Sequence, residues 1–355
     1  MRLWILPALF SIFALLSILT LSSIAPSYAS RQLIFVIVSG GLFFVASKIP
    51  FQQWYKYRVF SYVFACLFLL VPFVFSLTTR NTARWIPVGD WFAIQPSQFT
   101  LPLVSFLILW LVTTTKRYTL HFFLKFFGIL IVPATMILLG PDLDTTLVFF
   151  VTLSSVLFFL PISWKFFASI AVIGFLGVFL AWTFVLQPYQ KIRVTSFLSS
   201  GEDMQGANYN ARQALIAVGA GQFSGRGLGQ GIQSHLQFLP EKHTDFIFSS
   251  LAEEYGFLGT SMVVALYALL ISFFFWASIH TEPLQEKLYM IIAALMFFLQ
   301  ATININMNIG LIPVTGITLP LLSYGGSSLL GISLLLGIAQ SIITTTEKKT
   351  LLHIG

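Results

Sequence analysis

Apolar runs of about eighteen residues or more recur along this chain, and each is long enough to cross a hydrocarbon core of roughly 30 Å. Within lipid, every backbone polar group must be satisfied inside its own segment or in a closed barrel. Runs of this length therefore form helices, not barrel strands. Ten are read, at about 4–24, 32–48, 58–77, 96–114, 122–139, 143–160, 164–186, 256–279, 287–309 and 319–344. Hydrophobic residues make up 57% and charged residues 9% of the 355, whereas a soluble domain is about a quarter charged. The fold class is an all-α polytopic membrane protein, read as one transmembrane domain over 1–355. About ten transmembrane helices are expected, with a large extracytoplasmic loop, 187–255, between spans seven and eight.

Arg2, an apolar stretch and then "SYAS" also fit a signal peptide. The run from Trp4 to about Ile24 exceeds the 7–15 residues of a typical signal core, which favours a retained first span. An even span number puts both termini on one side. Lys48, Lys56, Arg58, Lys116, Arg117, Lys125, Lys348 and Lys349 then share the side of short loops and tails. Lys and Arg in short loops stay cytoplasmic, so both termini are expected in the cytoplasm of a multi-pass cytoplasmic (inner) membrane protein. The net charge of +7 thus has a topological origin and does not point to nucleic acid. One cysteine, Cys66, excludes a disulfide framework. No Cys/His cluster has zinc spacing.

Against this background the stretch "FLPEKHTDFIFSSLAEEYG", 238–256, is an exception, holding Glu241, Lys242, His243, Asp245, Glu253 and Glu254. Asp245 precedes "FIF" and an apolar span. A carboxylate there is partly desolvated, which raises its pKa and makes it a stronger base toward a hydroxyl. The bland alternative is an N-cap or first-turn acid favoured by the helix dipole. Glu253 lies near the Asp245 face of the same helix and Glu254 about 100° away, so one of the two is expected to be solvated.

Earlier in the long loop, "ARQALIAVGAG" reads as a short amphipathic helix ending at glycine. "GAGQFSGRGLGQG" offers backbone amides that could cradle phosphate beside Arg226. Without a preceding strand, a plain turn is the competing reading. Lys191, Arg193, Arg212, Arg226 and Lys242 are outer cations suited to a pyrophosphate, or equally to lipid head groups. Arg84 with Trp85 fits an interfacial belt, and Asp142 in "GPDLDTTLV" fits an N-cap. In "NININMNIGLIPVTGITLPLLSYGGSS", Asn304 and Asn308 share a helix face that should point into the bundle. Pro313, Pro320 and Gly325–Gly326 imply broken backbone at membrane depth, tolerated where it is buried or lines a cavity.

"GLIPVTGITLPLLSYGGSS" and "FLPEKHTDFIFSSLAEEYGFLG" resemble the two long motifs of the shape, elongation, division and sporulation (SEDS) family. "GRGLGQGIQSHLQ", "PDLDTTLV" and a short N-terminal tail resemble its RodA branch more than its FtsW branch. The resemblance implies a peptidoglycan glycosyltransferase that polymerises lipid II at the outer face of the membrane, serving elongation and rod shape. It implies a class B penicillin-binding protein as crosslinking partner and places the family's catalytic aspartate on Asp245. Substrate contacts are expected from Arg84, Asp142, Lys191, Arg193, Arg212, Arg226, Lys242, His243, Asn308, Ser323, Tyr324 and Ser327, with a divalent cation (Mg or Mn) as a candidate cofactor. Two departures stand out. The family's Glu and Lys in "QPSE" and three residues beyond are Gln98 and Leu101 here, and the glycine of "PDLG" is Asp144. A lipid II flippase, a division-type (FtsW-like) polymerase and a recruiting scaffold are the alternatives. A scaffold tolerates loss of Asp245.

Overall fold

The structure is a computed structural model that describes residues 2–75, 84–89, 92–185, 191–192, 195–197, 208–236 and 238–354. The helices are α1 (Ile5–Ile24), α2 (Pro26–Lys48), α3 (Phe51–Lys56), α4 (Arg58–Val74), α5 (Ser97–Thr114), α6 (Leu120–Leu139) and α7 (Leu143–Ser154). Then come α8 (Trp164–Leu180), α9 (Asn208–Ala220), α10 (Ile232–His235), α11 (Ile247–Ile279), α12 (Leu284–Asn308) and α13 (Gly326–Ile354). Seven of them are long and apolar enough to cross a membrane; α4 and the Leu143–Phe159 segment are apolar but shorter. Each of the ten sequence-derived spans corresponds to one helix.

Local chemistry sets the breaks. Proline disfavours helical backbone in the residue before it. Ala25, ahead of Pro26, accordingly sits at φ −152°, ψ 68° and separates α1 from α2. In the loop expected at 78–95, β1 (Ile86–Val88) and β2 (Phe92–Ile94) pair antiparallel, Ile86 opposite Ile94. Between them Gly89 takes φ +69°, a conformation that glycine adopts without a Cβ penalty.

α13 lies against α2 and α5. A Cβ on Gly337 would come within 2.6 Å of the Phe43 carbonyl oxygen, the close backbone approach that small residues permit between membrane helices. Around this pair, Leu6, Phe13, Phe51, Phe106, Phe126, Phe149 and Phe297 are fully buried, so α1 belongs to the packed bundle.

Three spans start differently from the sequence expectation. Span two begins at Pro26 instead of 32. Span eight was expected from 256, but α11 begins at Ile247 and breaks at Gly256 (φ +65°, ψ −161°). Residues 247–254 form a buried half-helix ahead of the span proper. Span ten was expected from 319, but the backbone stays irregular through Gly325 and the helix begins at Gly326. Pro313 and Pro320 lack the amides a helix needs there.

Candidate active site

The segment that carries Asp245 is held by its backbone. Three successive carbonyls, those of His243, Thr244 and Asp245, each accept a hydrogen bond from the stretch 304–324. Tyr324 N–H donates to His243 O (2.9 Å) and Ser323 Oγ to Thr244 O (2.6 Å). Asn304 Nδ2 and Asn308 Nδ2 donate to Asp245 O at 2.9 and 3.0 Å. Asn304 Nδ2 also donates to Ile317 O (2.7 Å). One backbone amide and three side chains of the second motif thus hold the main chain of the first. Tyr28 of α2 stacks on the His243 ring (centroids 4.2 Å apart) and meets Tyr324 edge-on at 4.8 Å.

Two non-glycine residues hold left-handed backbone in these segments, Glu241 (φ 51°) and Leu321 (φ 70°). Such strain costs of order 1–3 kcal/mol and persists where surrounding contacts over-determine it. The cap of α11 is Phe246, with no side-chain capping bond and no acid in the first turn. The residue at the N-cap position is thus Phe246, one place after Asp245.

The expectation that one of the two glutamates is solvated is overturned. Glu253 is 0% and Glu254 2% exposed. Glu253 accepts from Gln233 N–H (2.8 Å), Ser234 N–H (3.0 Å) and Ser234 Oγ (2.7 Å). Glu254 accepts from Gly229 N–H (3.0 Å) and from the Ser23 hydroxyl, and His235 Nε2 lies 3.9 Å away.

The glycine-rich run, read as a phosphate cradle, turns several of its amides inward instead. Arg226 N–H donates to Glu253 O (2.9 Å) and Gly227 N–H to Glu254 O (3.0 Å). A Cβ on Gly225 (φ +82°) would lie 2.1 Å from the Glu254 carbonyl oxygen. At the Gly256 break, Phe257 and Leu258 donate to Gln222 O and Phe223 O at 2.8 and 3.1 Å. The loop replaces bonds the broken helix lost, as buried irregular backbone requires.

Asp142 caps α7 by accepting from Thr145 N–H (3.3 Å), the bland reading of that residue. It also accepts from Gln95 Nε2 (2.6 Å) and Ser97 Oγ (3.0 Å), with Arg84 Nη1 3.9 Å away. Ser327 accepts from Gln95 N–H and donates to Ala93 O, both at 3.0 Å, tying α13 to the hairpin. Gln98 and Leu101, the departures from the family pair, line a cavity of about 30 Å³ with Gln300 and Thr145.

The other expected contacts divide. Lys242 Nζ donates to Ser234 O. Burial pushes its ammonium below the ordinary value, against the pull of Glu253 and Glu254. Arg212 and Arg226 are exposed, Arg212 on α9 and Arg226 in the glycine run. Lys191 lies in a separate helical turn, and Arg193 falls outside the described residues. Asn308 is fully buried, its Oδ1 accepting from Ser249 N–H and Oγ. With both ends of its amide engaged, it is a brace and not a substrate contact. Tyr28, Gln95 and Ser97 were not singled out as site residues. Gln95 and Ser97 sit in the stretch that corresponds to the family's "QPSE", whereas Tyr28 carries no signal beyond being an aromatic near a span end. Among the described residues, no group of three or more His, Cys, Asp or Glu is placed to hold a metal ion.

Residues 1–348 match the family of cell cycle proteins represented by FtsW, RodA and SpoVE. A probable peptidoglycan glycosyltransferase FtsW of Escherichia coli O157:H7 is 35% identical over 313 residues, covering 85% of this chain and 74% of that one. Its counterpart in Haemophilus influenzae is 33% identical over 340 residues, covering 92% and 83%. Among solved structures, a chain of a peptidoglycan synthase complex that coordinates polymerization and crosslinking superposes with TM-score 0.83 at 24% identity. It covers 97% of this chain and 98% of that one. The Thermus thermophilus rod shape determining protein RodA gives 0.69 at 23%, covering 96% and 95%. The structural matches establish a shared fold, and the sequence matches establish descent: this chain belongs to the FtsW/RodA/SpoVE (SEDS) family of multi-pass membrane proteins.

Proposed function

We propose that this protein is a peptidoglycan glycosyltransferase that polymerises lipid II at the outer face of the cytoplasmic membrane, with Asp245 as general base. The observation that carries the reading is the hold on three successive backbone carbonyls at His243–Thr244–Asp245. It fixes the main chain of an acid-bearing loop against irregular backbone while Asp245 remains partly exposed. A base must be held in productive geometry before it contributes its usual 10²–10⁴-fold.

In the proposed reaction Asp245 takes the proton from a sugar hydroxyl of one lipid II. The hydroxyl oxygen bonds to the anomeric carbon of the other chain's terminal sugar. The bond from that carbon to pyrophosphate breaks, and undecaprenyl pyrophosphate leaves with the electron pair. Lys242 and Arg84 are the described cations proposed to meet its charge: Lys242 lies three residues before Asp245 and donates to Ser234 O, and Arg84 lies 3.9 Å from Asp142. A class B penicillin-binding protein is the proposed crosslinking partner, supported by the fold shared with a chain of a synthase complex.

The test is polymerisation of purified lipid II by the detergent-solubilised protein with its partner, wild type beside Asp245→Asn. Glycan strands from wild type alone support the assignment; equal strands from both sink Asp245 as base. Whether the chain serves elongation or division is a separate question. The sequence motifs lean to elongation, whereas the relatives at 33–35% identity are named FtsW. We favour elongation. Localisation of a fluorescent fusion decides this, side wall for elongation and septum for division.

A further inference from the structure

Asp144 stands where the resembling family carries glycine, and its carboxylate does not point idly outward. Its Oδ2 accepts from the backbone N–H of Gly316 at 2.9 Å, a bond across 172 residues that joins the first turn of α7 to the irregular segment after α12. Gly316 precedes Ile317, whose carbonyl accepts from Asn304 Nδ2 at 2.7 Å. The same amide nitrogen donates to Asp245 O at 2.9 Å. On the other side of Gly316, Thr315 Oγ1 meets Met307 Sδ at 3.2 Å. Val314 packs on the small cluster of Ala214, Leu239 and Phe246, the last being the residue after Asp245. Residues 314–317 therefore lie between Asp144 on one side and the braces of the Asp245 loop on the other.

We propose that Asp144 is a positioning residue: a latch that fixes residues 314–317 and, through Asn304 and Phe246, the backbone of Asp245. This rests on the reading of Asp245 given above. The competing explanation is local, since an acid in the first turn of α7 is favoured by the helix dipole whatever it touches. The two differ in what the oxygen must be. The latch needs an acceptor for Gly316 N–H, which asparagine supplies. The dipole needs a charge, which asparagine lacks.

The experiment uses the full chain in detergent with Asp144→Ala and Asp144→Asn. Hydrogen exchange is read on peptides covering 309–325 and 239–247, and lipid II polymerisation with the partner is read in parallel. Expected for Asp144→Ala is several-fold faster exchange in both peptides. Turnover should fall roughly three- to tenfold, with KM within about twofold because no substrate contact is removed. Asp144→Asn is expected within about twofold of wild type in both readouts. Unchanged exchange in Asp144→Ala overturns the latch, as does faster exchange confined to the start of α7 and shared by Asp144→Asn. If exchange responds as expected but wild type makes no glycan, the latch stands and the reading of Asp245 falls.

Discussion

The half-helix 247–254 has acids at both ends, and they are treated in opposite ways. At its far end Glu253 and Glu254 are buried, and backbone amides and hydroxyls close on their carboxylate oxygens. At its near end it is the backbone of Asp245 that is gripped, by Asn304 and Asn308, and the residue stays partly exposed. The glutamates fasten the glycine run to the Gly256 break and, through Ser23, to the end of α1. Asp245 is presented by the structure that those fastenings create. A cluster of charge in an apolar chain is thus two things at once, the acid proposed as base and the anchors that hold its loop.

The largest effect expected is that of Asp245→Asn on chemistry. Loss of the base should lower polymerisation by roughly 10²–10⁴-fold with the melting temperature unchanged. Glu253→Ala should do the reverse and act first on the fold. It strands two buried amides and a hydroxyl and empties a fully buried site. Destabilisation of roughly 3–5 kcal/mol is expected, read as loss of monodisperse protein or a large fall in melting temperature. A folded, active Glu253→Ala protein would break the contrast between the two ends.

The sequence made the bundle legible because membrane spans are written in composition, and ten apolar runs became ten helices. Asp245 and the Asn304–Ser328 stretch were legible for a related reason: acids and broken helices are costly in lipid and stand out. The fate of Glu253 and Glu254 was hidden. Whether a carboxylate is solvated or met by amides depends on Gln233, Ser234 and Gly229 folding back across 19 to 25 residues of loop. The glycines were misread for the same reason. One of their amides, that of Gly229, does meet an anion, but it is the chain's own Glu254. Tyr28 was invisible because its stack on His243 joins segments more than 200 residues apart, a contact that no local pattern encodes.

A smaller effect sharpens the near end. Asn304→Ala removes the donor shared by Asp245 O and Ile317 O but leaves the Asn308 bond to Asp245 O in place. Stability should fall by roughly 1–3 kcal/mol. Turnover should fall about ten- to hundredfold from misplacement of the base, with KM little changed. Equal losses in Asn304→Ala and Glu253→Ala, in both stability and turnover, would mean that the two ends are not separable.

The smallest effect concerns Lys242, which sits between the two ends in space. Burial is the main cause lowering its pKa in the folded state, and Glu253 and Glu254 pull the other way. Below the lowered value both folded and unfolded chains carry the proton, and stability is flat with pH. Between that value and the ordinary 10.5 the unfolded chain binds more protons, so stability rises with pH. Wild type should therefore gain in melting temperature relative to Lys242→Met as pH climbs toward 10.5. The gain should be small because the side chain is partly solvated. A relative loss over that window would mean that the glutamates outweigh burial, making Lys242 a partner of the anchors and weakening its assignment to the departing pyrophosphate.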